Sequence, residues 1–247
     1  MIINICLKFF VLLLLLFHIS CILGPKEEEP SENFIYPITI GNSWKYVQTE
    51  ISLNCSTITQ DSTYVVTDSI FFNRIDTILT SVIRMDTTAK DTPIVLVRDS
   101  AWGDTSNHTP VFEYRWKNKD DGLYFYDSNN TVPYGHPEQL YKYPYQNGSS
   151  WSNGEPPFWM SNIYLGKENV KCEAGTFMCY KIETKFTVFL DDILPSYKCY
   201  RWLSPEIGLV KILVITKRSA AFNETGQIYG KYDSVKEIIL NNFVTGK

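Results

Sequence analysis

Apolar and polar residues alternate with a period of two along most of this chain. The clearest case is the segment 180–190, where even-numbered positions are mostly apolar and Lys181, Glu183 and Lys185 occupy the odd ones. Phe112, Tyr114 and Trp116 alternate with charged residues in the same way. Alternation of this kind is typical of β-strands with one buried face. It predicts that this chain is built from half-buried strands.

Further strands are predicted by the same pattern, and no stretch of twelve or more residues has helical periodicity. Turn residues such as Asn147-Gly148 and Thr225-Gly226 separate the segments,. We therefore predict an all-β fold: an antiparallel, strongly curved sheet or an open barrel. A short helix could lie in the polar connections between the strands. The further strands are Trp44–Ser52, Thr63–Phe72, Asp76–Arg84, Pro93–Arg98, Gly122–Asp127, Val170–Glu173, Tyr197–Leu203, Gly208–Thr216 and Ser234–Phe243.

One short pattern occurs twice. Tyr36-Pro-x-x-x-Gly-x-Ser-Trp44 recurs as Tyr143-Pro-x-x-x-Gly-x-Ser-Trp151, with five identical residues at identical spacing. In each copy the glycine can form a tight turn, and the tryptophan can anchor the start of a strand. The repeat divides the domain into two related halves, 34–140 and 141–247, if it reflects a duplication. A short motif that arose twice is the alternative.

The first residues predict export. Lys8 precedes an apolar run from Phe9 to Phe17, and Ser20 and Cys21 follow shortly after. This order is typical of a secretory signal peptide, here residues 1–20. The run is shorter than the roughly 20 apolar residues of a membrane span.

A cysteine directly after a small residue resembles the signal of bacterial lipoproteins. The resemblance implies that Cys21 becomes the lipid-bearing first residue of the mature chain, with palmitate among its acyl groups, and so binds the protein to a membrane. His18 departs from the family pattern, which has leucine there. An ordinary signal cleavage with Cys21 incidental is therefore an alternative, as is an uncleaved anchor.

Residues 21–33 have the composition of a tether. The run Gly24–Asn33 includes two prolines and four glutamates and no apolar residue besides those prolines, so it cannot bury surface and should stay extended. The β-rich domain would then span 34–247. Removing Lys8 with the signal leaves 22 of the 23 basic residues against 27 acidic ones, a formal charge of −5. This charge argues against nucleic acid as a partner.

Three motifs resemble those of a group of bacterial exported lipoproteins. They are Tyr36-Pro-Ile-Thr-Ile-Gly-Asn-Ser-Trp-Lys-Tyr46, Ala174-Gly-Thr-Phe-Met-Cys-Tyr-Lys-Ile182, and Trp202 with Gly208-Leu-Val-Lys211. The resemblance implies a β-rich domain of the cell envelope without an established activity. Together with the signal, it places the protein at the outer membrane.

Four cysteines remain after the signal and Cys21. An even number in an exported chain makes disulfides plausible. A two-residue turn at Gly175-Thr176 would place Cys172 opposite Cys179 and allow a bond between them, and Cys55 would then pair with Cys199. Reduced, packed cysteines are the alternative. No spacing of cysteines and histidines predicts a metal site.

Little in the chain predicts catalysis. Of its three histidines, only His108 and His136 survive signal removal, and no nucleophile elbow or metalloprotease motif is present,. We therefore expect no enzyme activity and no cofactor. The expected function is a non-enzymatic binding or structural role, with a hydrolase-type secreted enzyme as a minor alternative.

Aromatic residues crowd one proline-rich span. An exposed set there could stack on carbohydrate or dock an envelope protein. Two alternatives are open: the rings could plug one end of the domain, or the sheet could enclose an apolar cavity that carries a lipid. The candidate binding surface consists of Tyr134, Tyr141, Tyr143, Tyr145, Trp151 and Trp159.

Overall fold

One antiparallel sheet of thirteen strands contains nearly all of the described chain, as predicted for the all-β class. The computed structural model describes residues 35–58, 64–66, 70–86, 94–103, 111–126, 138–153, 158–188, 196–223 and 225–246. The strands are β1 Ser43–Ile58, β2 Tyr64–Val66, β3 Asn73–Asp86, β4 Ile94–Gly103, β5 Val111–Lys119, β6 Gly122–Tyr126, β7 Glu138–Lys142, β8 Ser150–Asn153, β9 Phe158–Cys172, β10 Gly175–Val188, β11 Ser196–Ser204, β12 Gly208–Phe222 and β13 Ile228–Val244.

Strands that follow one another in the chain pair along most of the sheet, and the first long strand also pairs with the last. The sheet order is β7-β6-β5-β4-β3-β1-β13-β12-β11-β10-β9-β8, and the short β2 pairs with β1. The first and last long strands are therefore neighbours, with Ser43 paired to Val244. Consecutive strands β7 and β8 form the two edges.

Those two edges touch through side chains. Asn153 on β8 donates from Nδ2 to the carbonyl oxygen of Gln139 on β7 at 2.6 Å, and Lys142 Nζ lies 3.4 Å from the Ser150 carbonyl oxygen. The sheet therefore curls until its edges meet without a continuous backbone ladder between them. This confirms the prediction of a strongly curved, open sheet, and it gives the sheet an inner face.

Aromatic rings dominate the core on the inner face. Tyr145 and Tyr180 have ring centroids 4.6 Å apart, and Tyr36 stacks on Tyr141 at 5.7 Å. Burying each large apolar side chain stabilises the fold by about 1.5–3 kcal/mol. The alternation predicted for 180–190 is confirmed as far as the structure describes it, because Tyr180, Ile182 and Thr184 are fully buried.

The repeated pattern precedes β1 in one copy and β8 in the other. The backbone hydrogen bonds around its glycine are the same in both. Each glycine has a positive φ, +89° at Gly41 and +80° at Gly148, a region that favours glycine. The matching bonds are Gly41 N to Val82 O at 3.0 Å and Gly148 N to Tyr164 O at 2.9 Å, then Val82 N to Asn42 O and Tyr164 N to Ser149 O, both at 2.9 Å. A duplication of the whole half stays a prediction.

Several strand predictions were incomplete or wrong. Of the described residues in the segment Thr63–Phe72, 64–66 form the short strand β2, and 70–72 precede β3 without joining it. Strand β9 begins twelve residues before the predicted Val170. A bulge at Leu165 breaks its register against β10, and a bulge interrupts the alternation from which a strand is predicted. The strand predicted at Ser234–Phe243 is confirmed as part of β13.

Candidate functional site

Polar side chains form a belt across the inner face of the sheet. One end of this belt is open to water. Directly opposed residues in an antiparallel ladder project to the same side of the sheet. One such row crosses seven strands from β9 to β3, and it includes Thr184 and Cys199, which are buried. The row consists of Asn162, Thr184, Cys199, Val214, Lys236, Glu50 and Arg74.

Neighbouring rows widen this belt. Positions two residues apart on a strand share a face, so the row Tyr197–Thr216–Ser234–Ser52 flanks the first on one side. Arg201, Gln48 and Asp76 belong to the row on the other side. We call this set the polar belt: Asn162, Thr184, Cys199, Lys236, Glu50 and Arg74, with Tyr197, Thr216, Ser234, Ser52, Arg201, Gln48 and Asp76.

The charged part of the polar belt centres on Glu50. Its Oε2 accepts from Arg74 Nε at 3.1 Å and from Arg74 Nη2, and Lys236 Nζ lies 3.3 Å from the same oxygen. The Glu50 side chain is only 10% exposed, whereas those of Arg74 and Lys236 are 56% and 30% exposed. The belt is therefore open to water on this side, and its buried carboxylate is paired.

The amide part of the polar belt is closed and satisfied. Thr184 donates from Oγ1 to Asn162 Oδ1 at 2.7 Å, and Asn162 donates from Nδ2 to Asn153 Oδ1 at 2.9 Å. The chain of hydrogen bonds continues from Asn153 to the edge strand β7. Because each of these buried groups has a partner, this end holds strands together and leaves no group for a ligand.

Cys199 occupies the middle of the belt as a neutral thiol. Burial raises its pKa, although the positive charge of Arg201 and a hydrogen bond from it act in the opposite direction. Burial also raises the pKa of Tyr197, and Cys199 adds to that effect. The thiolate is the nucleophilic form of cysteine, so Cys199 is a packing residue at neutral pH.

The predicted aromatic binding surface is not exposed where the structure describes it. Tyr141, Tyr143, Tyr145 and Trp151 are all less than 9% exposed. Tyr143 Oη donates to Asn118 Oδ1 at 2.9 Å, and burial raises the pKa of this tyrosine. The exposed platform is therefore wrong for these four rings, and the alternative of a plug fits their burial. Cys21, Tyr134, His108, His136 and the ring of Trp159 lie outside the described residues and side chains.

The predicted Cys172–Cys179 bond is absent, because the turn lies elsewhere. The turn residues are Glu173 and Ala174, so Cys172 pairs with Gly175. Cys179 pairs with Glu168, four residues further along the strand, which is about 13 Å. Cys172, Cys179 and Cys199 are free thiols, so the predicted pairing of Cys55 with Cys199 is not formed either.

Neither a membrane-spanning helix nor a metal site is found among the described residues. None of the described elements is a helix long and apolar enough to cross a bilayer. No three described side chains among histidine, cysteine, aspartate and glutamate converge as a metal site. Asp121 lies in the exposed turn before β6 and accepts a hydrogen bond from Tyr124 Oη at 2.8 Å.

The polar belt was not predicted from the sequence, although the pattern of β1 indicates it. On β1 the inner face is occupied by Trp44, Tyr46, Gln48, Glu50 and Ser52 in order, so the apolar phase of the strand becomes polar after two residues. A polar residue in the apolar phase of a strand indicates either a strand end or an inner polar site. Only the residues paired with it on the neighbouring strands distinguish a strand end from an inner polar site, because these residues complete the rows of the belt.

Comparison with known proteins assigns no family to this chain. The sequence matches no family model and no curated protein. Two solved structures are similar to it: a predicted exported protein with a YmcC-like fold from Bacteroides fragilis and a predicted lipoprotein from Parabacteroides distasonis. Each has 13% identity and a TM-score of 0.47 and covers 86% of this chain, with 100% and 99% of the respective chains matched. A similarity of this degree assigns neither family nor function.

Proposed function

We propose that this protein is a lipoprotein of the cell envelope, anchored at the outer membrane through acylated Cys21, with a non-enzymatic binding role. The observation that carries the anchor is the order of Lys8, the apolar run Phe9–Phe17 and Ser20-Cys21,. The acidic segment after Cys21 is a suitable tether, because it cannot fold on its own.

The binding role is supported by the polar belt. Its charged end is partly open, whereas the rest of the inner face is packed with buried rings. A concave surface with a few polar groups beside apolar ones is the usual form of a ligand site. The buried Cys199 thiol is protonated, and Glu50 is engaged by two cations, so neither is poised as a nucleophile or a base.

A carrier of an amphiphilic ligand is the second candidate. The observation that favours it is the division of the inner face, which has aromatic side chains such as Tyr46 and Tyr180 beside the charged residues of the belt. An apolar chain could contact the rings while a polar head contacts the belt. Carbohydrate or another envelope protein is the partner expected for the binding role without an apolar chain.

The anchor is tested by replacing Cys21. We expect Cys21→Ser to remove acylation, so that the protein moves from the membrane fraction to the soluble fraction. Mass spectrometry of the mature amino terminus provides the second measurement. Cys6→Ser is the matched control, because it changes a cysteine within the signal and should leave acylation and fractionation unchanged. A Cys21→Ser protein that is still bound to membranes would contradict the proposal.

A further inference from the structure

Arg201 is a half-buried cation on the inner face. It lies between Cys199 and Leu203 on β11, both of which are buried, and it pairs with the fully buried Ile182 on β10. Its two chain neighbours, Tyr200 and Trp202, project to the opposite face. The guanidinium therefore points into the curve of the sheet, and its charge reaches Tyr141 on the edge strand β7, whose pKa it lowers against the larger effect of burial.

The carboxylates of the polar belt are already engaged with other groups. Glu50 pairs with Arg74 and Lys236, and Asp76 accepts from Gln48 and lies 3.9 Å from Arg74. No carboxylate of the described residues is within ion-pair distance of Arg201. The belt thus has three cations against two carboxylates.

This imbalance has an energetic consequence. A partly desolvated charge without an opposite charge destabilises the folded state. The contact of Arg201 with the neutral thiol of Cys199 compensates for little of that cost, since sulfur is a weak acceptor. An anion placed against Arg201 would therefore be bound by an ion pair that no described carboxylate makes.

We propose that Arg201 binds one oxyanion, a carboxylate or a phosphate, of a small ligand that enters the polar belt from its open side. The guanidinium suits this because its planar fork donates two parallel hydrogen bonds to such a group. Lys236 is the second cation of the belt near the opening. The hydroxyl groups of Tyr197 and Tyr141 can also donate. This inference rests on the belt being the ligand site of the proposed function.

The test measures binding of inorganic phosphate and of dodecyl phosphate to the full-length protein by titration calorimetry at constant ionic strength. We expect Arg201→Gln to weaken binding about tenfold or more. Arg201→Lys should retain part of the affinity, because it keeps the charge and loses the fork. Lys198→Gln is the matched control: Lys198 is on the same strand, exposed and on the outer face, and its loss should change nothing.

The two probes separate the sources of the anion. Equal binding of both supports a small free anion, and tighter binding of dodecyl phosphate supports an anion at the end of an apolar chain. The inference is overturned if neither probe binds at about 10 mM, or if Arg201→Gln binds as tightly as wild type. Thermal unfolding of Arg201→Gln shows that it is folded; we expect it to be at least as stable as wild type without ligand. Fractionation of Cys21→Ser tests the anchor independently of either result.

Discussion

The two tryptophans of the repeated pattern are equivalent in position and differ in one hydrogen bond. Trp44 is buried and donates from Nε1 to the carbonyl oxygen of Ile207 at 2.6 Å. Trp151 is also buried, but no described residue accepts from its indole nitrogen. Leaving a buried donor unpaired costs free energy, as does leaving a buried carbonyl without its donor.

We predict that Trp44→Phe destabilises the protein more than Trp151→Phe does. Both changes remove a similar volume, but only the first breaks a buried hydrogen bond and leaves the Ile207 carbonyl without this donor. The expected difference in the free energy of unfolding is about 1–2 kcal/mol, measured by urea denaturation followed by circular dichroism. Equal losses in the two variants would contradict this explanation.

At the scale of elements, Asp233 on β13 forms hydrogen bonds to a bulge in each of the two neighbouring strands, β1 and β12. Asn54, in the bulge of β1, and Arg218, in the bulge of β12, have φ values of +50° and +61°. Asp233 accepts from Asn54 Nδ2 at 2.8 Å and from the backbone nitrogen of Arg218 at 3.0 Å. Burial raises the pKa of Asp233. These two hydrogen bonds and the nearby cations Lys217 and Arg218 lower it by more, so that the net shift is downward.

Asp233→Ala should therefore lower the free energy of unfolding by about 1–2 kcal/mol at neutral pH. Because the pKa is lower in the folded state, this contribution is present above the ordinary value of 3.8 and is lost as the pH falls through the folded-state pKa,. Urea denaturation at a series of pH values measures both effects. Asp120→Ala, in an exposed turn, is the control. A loss that persists unchanged in strong acid would argue against the carboxylate.

The elements themselves were largely predictable, and the reason is local. A strand such as 180–188 can be predicted from its own residues, because the alternation of apolar and polar side chains lies within one segment. Gly208, in the third of the motifs that resemble exported lipoproteins, packs against a distant residue, since a Cβ there would lie 2.7 Å from Tyr36 Cζ. The turn after Cys172 was misplaced because Gly175, with φ of +141°, begins the next strand instead of occupying the turn.

The candidate site was not predictable, because it depends on partners far apart in the chain. Glu50 is one charged residue among several on β1 and β3, and only its pairing with Lys236 makes it part of an inner row. Arg201 likewise resembles its exposed neighbour Lys198 in sequence. The direction in which each points follows from the register, which the whole meander determines.

At the scale of the molecule, the interior contains weak acids that stay neutral. Burial, with smaller contributions from Cys172 and Glu168, raises the pKa of Cys179 from 9.0 to about 12. Burial also raises the pKa of Cys199, Tyr141 and Tyr145. In the unfolded chain these groups lose protons at lower pH than in the folded protein.

The protein should therefore lose stability in alkali. A raised folded-state pKa gives stability that is complete below the unfolded value and falls as the pH rises through the folded value. We expect the free energy of unfolding to be level up to about pH 9 and to decrease steadily towards about pH 12. Urea denaturation across this range measures the slope.

A matched pair of variants tests the cause of that slope. Cys179→Ala should make the decrease shallower. Val170→Ala removes a buried side chain that does not titrate, so it should lower stability at every pH and leave the slope as it is. A Cys179→Ala protein with the wild-type slope would show that the alkaline loss arises elsewhere.

The pairing of β1 with β13 also affects when the domain can fold. Ser43 pairs with Val244, so the seam at the middle of the sheet cannot form until the chain has been synthesised as far as Val244. Contacts between distant residues slow folding. A precursor whose central seam closes last stays extended for longer, and an extended precursor can still pass through a membrane. Late closure therefore suits the export that the pattern of residues 1–20 predicts.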